Sequence, residues 1–98
     1  MAFVEFARFK LRDGVSNEQF LQAERNIRNG KIGQQPGYQG RELGRGDNGE
    51  YFIVIRWDTA ENGAAWSPIF MQDPDGQAFA GCLDFSTMRQ EHFTVESV

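Results

Sequence analysis

A carboxylate set among phenylalanines is the first place in this sequence where chemistry could be done. Glu5 stands in the run FVEFARFKL, and Phe3, Ala7, Phe9 and Leu11 share its parity. If that parity faces helices, burial raises the carboxyl pKa and leaves a group able to take a proton from a substrate. The alternative for Glu5 is an ion pair with Arg8, Arg41 or Arg89, or a place near the open end of a sheet. His92 is the sole histidine and has a proton affinity suited to general base work; on a late, partly polar strand it equally serves a surface or an interface. Asn62 and Trp66 are four positions apart, so one helical face can present both to a cleft. Each also has a plain structural assignment, Asn62 as a solvated or capping residue and Trp66 as core filler. Tyr38 and Tyr51 carry hydroxyls that can bond a ligand, although Pro36-Gly37-Tyr38 also suits a packed turn.

Other chemistries find no support in residue types or spacing. Cys82 is the lone cysteine, so one chain can build neither a disulfide framework nor a thiolate metal cluster. The acidic residues Asp73, Asp75 and Asp84 lack the ligand spacing of a calcium loop. Fourteen acidic against ten basic side chains give a net charge of -4, without the basic footprint that nucleic-acid binding requires. No apolar run approaches the roughly 20 residues of a membrane span, and the first residues do not read as a signal peptide. The expected setting is the cytoplasm.

The elements that must position these groups follow from periodicity. Residues 3–11 alternate as a strand whose two faces both begin apolar. Asp13-Gly14 turns the chain. Ser16 with Gln19 has the pattern of a capping box, and Val15 with Phe20 that of a hydrophobic staple. Phe20, Ala23 and Ile27 continue an apolar stripe, with Glu24, Arg25 and Arg28 expected to face water, over a helix from about 17 to 32. Strands over about 39–45 and 50–57 flank Gly46-Asp47-Asn48-Gly49, a strong hairpin signal. The second of these, ending FIVIRW, suits a central place, and the first, with Arg41, Glu42 and Arg45, an edge. Asp58 with Glu61 opens another helix, which Pro68 is expected to interrupt or restart. Residues 73–84 read as a long connection with a helical turn near Phe79 to Leu83, and 86–95 as a last strand.

The predicted fold class is α+β. The 98 residues form a single domain, 1–98, with the ferredoxin-like order β-α-β-β-α-β, a four-stranded antiparallel sheet and two helices on one face. The other face would carry Val4, Phe6, Phe52 and Val54. Exposing such side chains is unfavourable by roughly 25 cal/mol per Å², and face-to-face pairing of two copies removes that cost. A homodimer is expected.

These residues, in this order, resemble the antibiotic biosynthesis monooxygenase-like members of the dimeric α/β barrel superfamily, related to the IsdG-type haem-degrading monooxygenases. The likeness spans nearly the whole chain. It rests on FVEFARFKL, the Gln35-Pro36-Gly37-Tyr38 turn, the strand ending at Trp57 and the segment from Asp58 to Phe70 with Trp66. The resemblance implies a cleft between helices and sheet. Some cofactor-free relatives oxidise polyketide-derived phenols with asparagine and tryptophan near the substrate oxygens, which implies Asn62 and Trp66 for those places. An electron-rich phenolate reduces O₂ directly, so the protein need supply only shape, an N–H for oxygen and exclusion of water. In haem-degrading relatives a tryptophan matches Trp66, but their asparagine and axial histidine correspond here to Ala7 and the Asp75-Gly76 turn.

The function expected is therefore cofactor-independent monooxygenation of a small aromatic or polyketide-like molecule with O₂. Glu5 or His92 would deprotonate it, Trp66 and Asn62 would position it, and Phe9, Phe20, Ile27 and Tyr51 would line its site. The competing functions are a non-catalytic small-molecule-binding or interaction dimer, and a haem-binding enzyme.

Overall fold

The computed structural model describes residues 1–98. Four strands and three helices follow one another as β1 (Phe3–Leu11), α1 (Asn17–Arg28), β2 (Tyr38–Arg45), β3 (Tyr51–Trp57), α2 (Ala60–Gln72), α3 (Pro74–Ala80) and β4 (Leu83–Thr94). All strands pair antiparallel in the spatial order β2-β3-β1-β4. The architecture is the expected ferredoxin-like α+β sheet, with β3 central and β2 at an edge.

Register assigns the two sheet faces. Phe3 opposes Trp57, Glu5 opposes Ile55, Ala7 opposes Ile53 and Phe9 opposes Tyr51. Side chains of that parity meet Phe20 and Ile27 of α1, Trp66 of α2 and Phe79 of α3 in one core. Phe9, Phe20, Ile27 and Trp57 lose essentially all contact with solvent. The aromatic rings in this layer pack edge to face, Phe20 against Tyr51 at 4.8 Å and Phe9 against Phe20 at 5.7 Å between centroids. Val4, Phe6, Phe52 and Val54 lie on the opposite face, half-buried and covered by no helix. Gly44 of β2 is what lets the Phe52 ring lie flat there, because a Cβ at Gly44 would overlap it.

Local sequence signals account for most element ends. The Ser16 hydroxyl accepts from Gln19 N–H at 3.1 Å and starts α1. The β2–β3 hairpin closes through Gly46 N–H donating to the Glu50 carbonyl at 2.7 Å, with Gly49 at φ +81°. Several expectations need correction. Helix α1 ends at Arg28, earlier than about 32, because Asn29 caps it and Gly30 leaves helical geometry; a separate 3-10 turn spans Lys31–Gln34. The cap of α2 is Thr59, whose hydroxyl accepts from Asn62 N–H at 3.2 Å, and not Asp58. Pro68 neither interrupts nor restarts α2, which is continuous to Gln72. Ala64 and Pro68 are both exposed, so the carbonyl deprived of a donor lies on the wet side of the helix.

The stretch 73–84 is not a long connection. Pro74 starts α3 at a favourable first-turn position, and Gly76 lets α3 close onto α2, since a Cβ there would overlap the Phe70 carbonyl. What composition presents as a turn is a tight helix–helix approach. Strand β4 accordingly begins at Leu83 rather than 86. Its pairing with β1 slips between Arg8, opposite Arg89, and Lys10, opposite Asp84. The slip is held by Lys10 N–H donating to the Thr87 hydroxyl at 2.9 Å and by Ser86 bonding Asp84 Oδ1.

Candidate functional site

One row of residues crosses the whole sheet on its helix-covered face. Arg41 of β2 opposes Ile55 of β3, Ile55 opposes Glu5 of β1, and Glu5 opposes His92 of β4. Neighbouring strands are about 4.8 Å apart, so the row sets a cation, an apolar step, a carboxyl and an imidazole side by side. Above it, Trp66 and Phe70 of α2, with ring centroids 6.1 Å apart, and Phe79 of α3 leave a cavity of about 170 Å³. The β4 slip turns Phe85 and Met88 towards its mouth, where Phe85 is 61% exposed. Twelve of the 17 lining residues are apolar, so the orientation of a ligand falls to Glu5, Arg41, Ser67, Gln90 and His92.

Glu5 is the group of this set whose carboxyl oxygen, Oε1, is fully buried without a hydrogen-bond partner. Loss of water around it raises the carboxyl pKa above its ordinary value of 4.5, opposed in order by the Trp57 indole N–H, His92 and Arg41. Trp57 Nε1 is itself buried without an acceptor, so the indole moderates the carboxyl from nearby without a formed hydrogen bond. His92 packs its ring against Phe3 at 5.5 Å and keeps an exposed edge at the cavity.

The ion-pair alternative for Glu5 is not realised, because Arg41 is engaged elsewhere. Glu24 of α1 accepts from Arg41 Nε at 2.9 Å and Nη2 at 2.9 Å, and from Arg28 Nε at 2.7 Å. The Arg41 and Glu24 side chains are 3% and 4% exposed. Glu24 is therefore buried, contrary to the expectation that it faces water. The signal was in the stripe itself: Glu24 stands four residues after Phe20 and three before Ile27. Arg41 carries its guanidinium over the Phe79 ring at 5.2 Å, and it is the charged residue among the lining residues that sequence reasoning missed as part of the site, with Ser67 and Gln90 the polar ones.

Of the eight residues expected at the site, the structure gathers Glu5, His92, Trp66 and Phe9 around the cavity. The other four are elsewhere. Asn62 turns away from Trp66 and donates from Nδ2 to Asp58 Oδ1 at 2.7 Å, tying the start of α2 to the Gly37 turn. Phe20 and Ile27 are core residues sealed beneath α1. Tyr51 donates its hydroxyl to Asn17 Oδ1 at 2.6 Å, spending on α1 the group expected to meet a ligand. Tyr38 also stays outside, packed edge to face on Trp57 at 5.6 Å, and burial pushes its phenol pKa up.

The family model described as antibiotic biosynthesis monooxygenase matches residues 2–68. Among solved structures, SnoaB, a cofactor-independent oxygenase from Streptomyces nogalater, superimposes with a TM-score of 0.74 at 19% identity, over 99% of this chain and 95% of that one. A dimeric ferredoxin-like protein of unknown function from Jannaschia sp. CCS1 gives a TM-score of 0.72 at 11% identity, over 97% of this chain and 100% of that one. Identities this low speak for the fold alone. No curated protein matches the sequence.

Proposed function

Because the chain belongs to the antibiotic biosynthesis monooxygenase family, we propose that the cavity binds a small aromatic substrate and that the protein oxygenates it with O₂ without metal or organic cofactor. The observation that carries this reading is Glu5, a carboxyl with a buried, unpartnered oxygen on the wall of an otherwise apolar cavity. Such an atom can accept a phenolic proton, with the Trp57 indole N–H nearby and no hydrogen bond formed to it. The electron-rich phenolate transfers an electron to O₂, and recombination at a ring carbon bearing hydrogen gives a hydroperoxide. The proton returned from Glu5 completes that hydroperoxide. The ring carbon then gives up its hydrogen as a proton, the C–H electron pair forms the carbonyl as the O–O bond breaks, and the departing hydroxide takes that proton and leaves as water. One oxygen atom thus enters the product and the other becomes water, with every electron drawn from the substrate. Trp66 and Phe70 hold the ring and exclude water, and His92 stands beside Glu5 as the second proton acceptor.

The half-open cavity sets the size of the part of a substrate it can hold. A cavity of about 150 Å³ holds benzene, so the 170 Å³ here takes one ring. A polycyclic molecule would have to project past Phe85. A porphyrin is larger than this space, and the position corresponding to the axial histidine of haem-degrading relatives, Asp75-Gly76, lies within α3. The haem-binding reading therefore finds no support in the residues. Phe6, Val54 and their neighbours support a homodimer formed face to face through the uncovered side of the sheet, with each subunit, residues 1–98, one domain around its own cavity. No helix is long and apolar enough to cross a membrane, and we place the protein in the cytoplasm.

Oxygen uptake with a panel of mono- and dihydroxybenzenes, with product mass read by spectrometry using ¹⁸O₂, tests the reaction. Uptake above autoxidation, with one labelled oxygen in the product and a loss of about a hundredfold or more in Glu5→Gln, is the expected result. Binding without uptake would leave a non-catalytic binding dimer.

A further inference from the structure

We infer that Arg41 anchors an anionic oxygen of the ligand, so that the cavity selects a single ring carrying a carboxylate opposite its hydroxyl. This rests on the cavity being the ligand site and adds the chemistry that its second polar end would recognise. Glu24 occupies Arg41 Nε and Nη2, while Nη1 takes no acceptor from the protein and keeps contact with solvent, although the side chain as a whole is 3% exposed. The residue nonetheless forms part of the cavity wall, so Nη1 is a donor held ready for something that is not protein.

Charge points the same way. Two arginines share the single carboxylate of Glu24, which leaves one positive charge uncompensated, and of the two only Arg41 borders the cavity. The guanidinium is already immobilised by its fork onto Glu24 and by the Phe79 face, so binding an anion orders no further side chain. Arg41 and Glu5 lie two strands apart in the same row with Ile55 between them, about 10 Å between backbones. A ring laid over Ile55 directs one substituent to each. The carboxylate thereby sits at the end away from Glu5, beside the only unspent cationic donor, and the hydroxyl meets Glu5 Oε1.

The test compares 4-hydroxybenzoate, its methyl ester and phenol by isothermal titration calorimetry of the full chain at one ionic strength. The acid is expected to bind about tenfold or more tightly than either neutral probe, the range of a hydrogen bond between charged groups. Arg41→Met should abolish that preference, acid and ester then binding alike. Arg28→Met keeps the Arg41 donor at the cavity wall but leaves Glu24 to neutralise Arg41 alone, so the preference should shrink without disappearing. Equal affinity for acid and ester in the native chain, preference surviving in Arg41→Met, or loss of it in Arg28→Met would each overturn the inference. If Arg41→Met does not fold, the native chain and Arg28→Met decide the matter. No heat with any probe overturns it together with the ligand-site reading. Acid preference without oxygen uptake removes only the oxygenase, and uptake on phenols without acid preference removes only the role of Arg41.

Discussion

Glu5 is held in a position that costs the fold something. Below pH 4.5 the native and unfolded chains both carry its proton, and no penalty exists. As pH rises past that value the unfolded carboxyl ionises freely while the native one, stripped of water, is held back. Stability attributable to this group therefore falls with rising pH until the native carboxyl has ionised too. The groups facing it moderate the fall: the Trp57 indole from β3, His92 from β4 and Arg41 from β2. Glu5→Gln is expected to match the native chain in urea midpoint at pH 4 and to exceed it at pH 7. A gap of equal size at both pH values would assign it to packing. Trp66→Phe should slow oxygen uptake by about tenfold while preserving the fold, since a ring still fills the space between sheet and Phe70. Unchanged turnover would reduce Trp66 to a wall.

At the scale of elements, the buried link between α1 and β2 is the most sensitive contact. Removing the Glu24 carboxylate strands Arg41 without a counter-charge, and Glu24→Ala should cost about 3–5 kcal/mol in urea unfolding. Arg28, 41% exposed at its side chain, shares the same carboxylate, yet Arg28→Ala should cost less than about 1 kcal/mol. Equal costs would place the stabilisation in α1 alone. Pro68 is the reverse case, a residue whose loss should help. Replacing it with Ala restores a helical N–H worth about 3 kcal/mol, offset by about 1 kcal/mol from the freer unfolded chain. A net gain near 2 kcal/mol is expected, read as a higher midpoint. The cap of α1 and the hairpin were legible beforehand because Ser16, Gly46 and Gly49 act on partners within a few residues. Continuous α2 and the whole of α3 were not, because Pro68, Pro74 and Gly76 carry the composition of turns and become helical through neighbours that composition does not reveal.

At the scale of the molecule, the sheet has one face spent on the cavity and one face free. Phe6 stacks on Phe52 at 5.9 Å, Val54 lies opposite Phe6, and Phe93, 51% exposed, extends the patch along β4. Arg8, Arg56, Glu42 and Glu91 rim it with both signs of charge, the composition an isologous interface can pair with itself. Val54→Lys should convert a particle of twice 11.2 kDa to a single chain in sedimentation equilibrium, with 4-hydroxybenzoate binding retained because Val54 faces away from the cavity. An unaltered mass would show that this face is not the contact.

The amino-acid order by itself determined the elements that local periodicity and capping can specify: alternating strands, a capped first helix, a tight hairpin and two apolar sheet faces. It also placed Glu5 on one face with Phe3, Ala7 and Phe9, since a strand's alternation is a property of the strand alone, and left to the tertiary structure which face the helices cover. Tertiary structure decided which of the marked residues meet. Glu24 and Arg41 are 17 positions apart and pair only because α1 crosses β2. Register, set by three pairings at once, aligned Arg41, Ile55, Glu5 and His92, and the slip in β4 aimed Phe85 and Met88. Phe20, Ile27 and Tyr51 were lost from the site for the same reason: where a side chain points depends on the partners it finds across the fold, whereas Asn62 was taken by a near neighbour in sequence, Asp58.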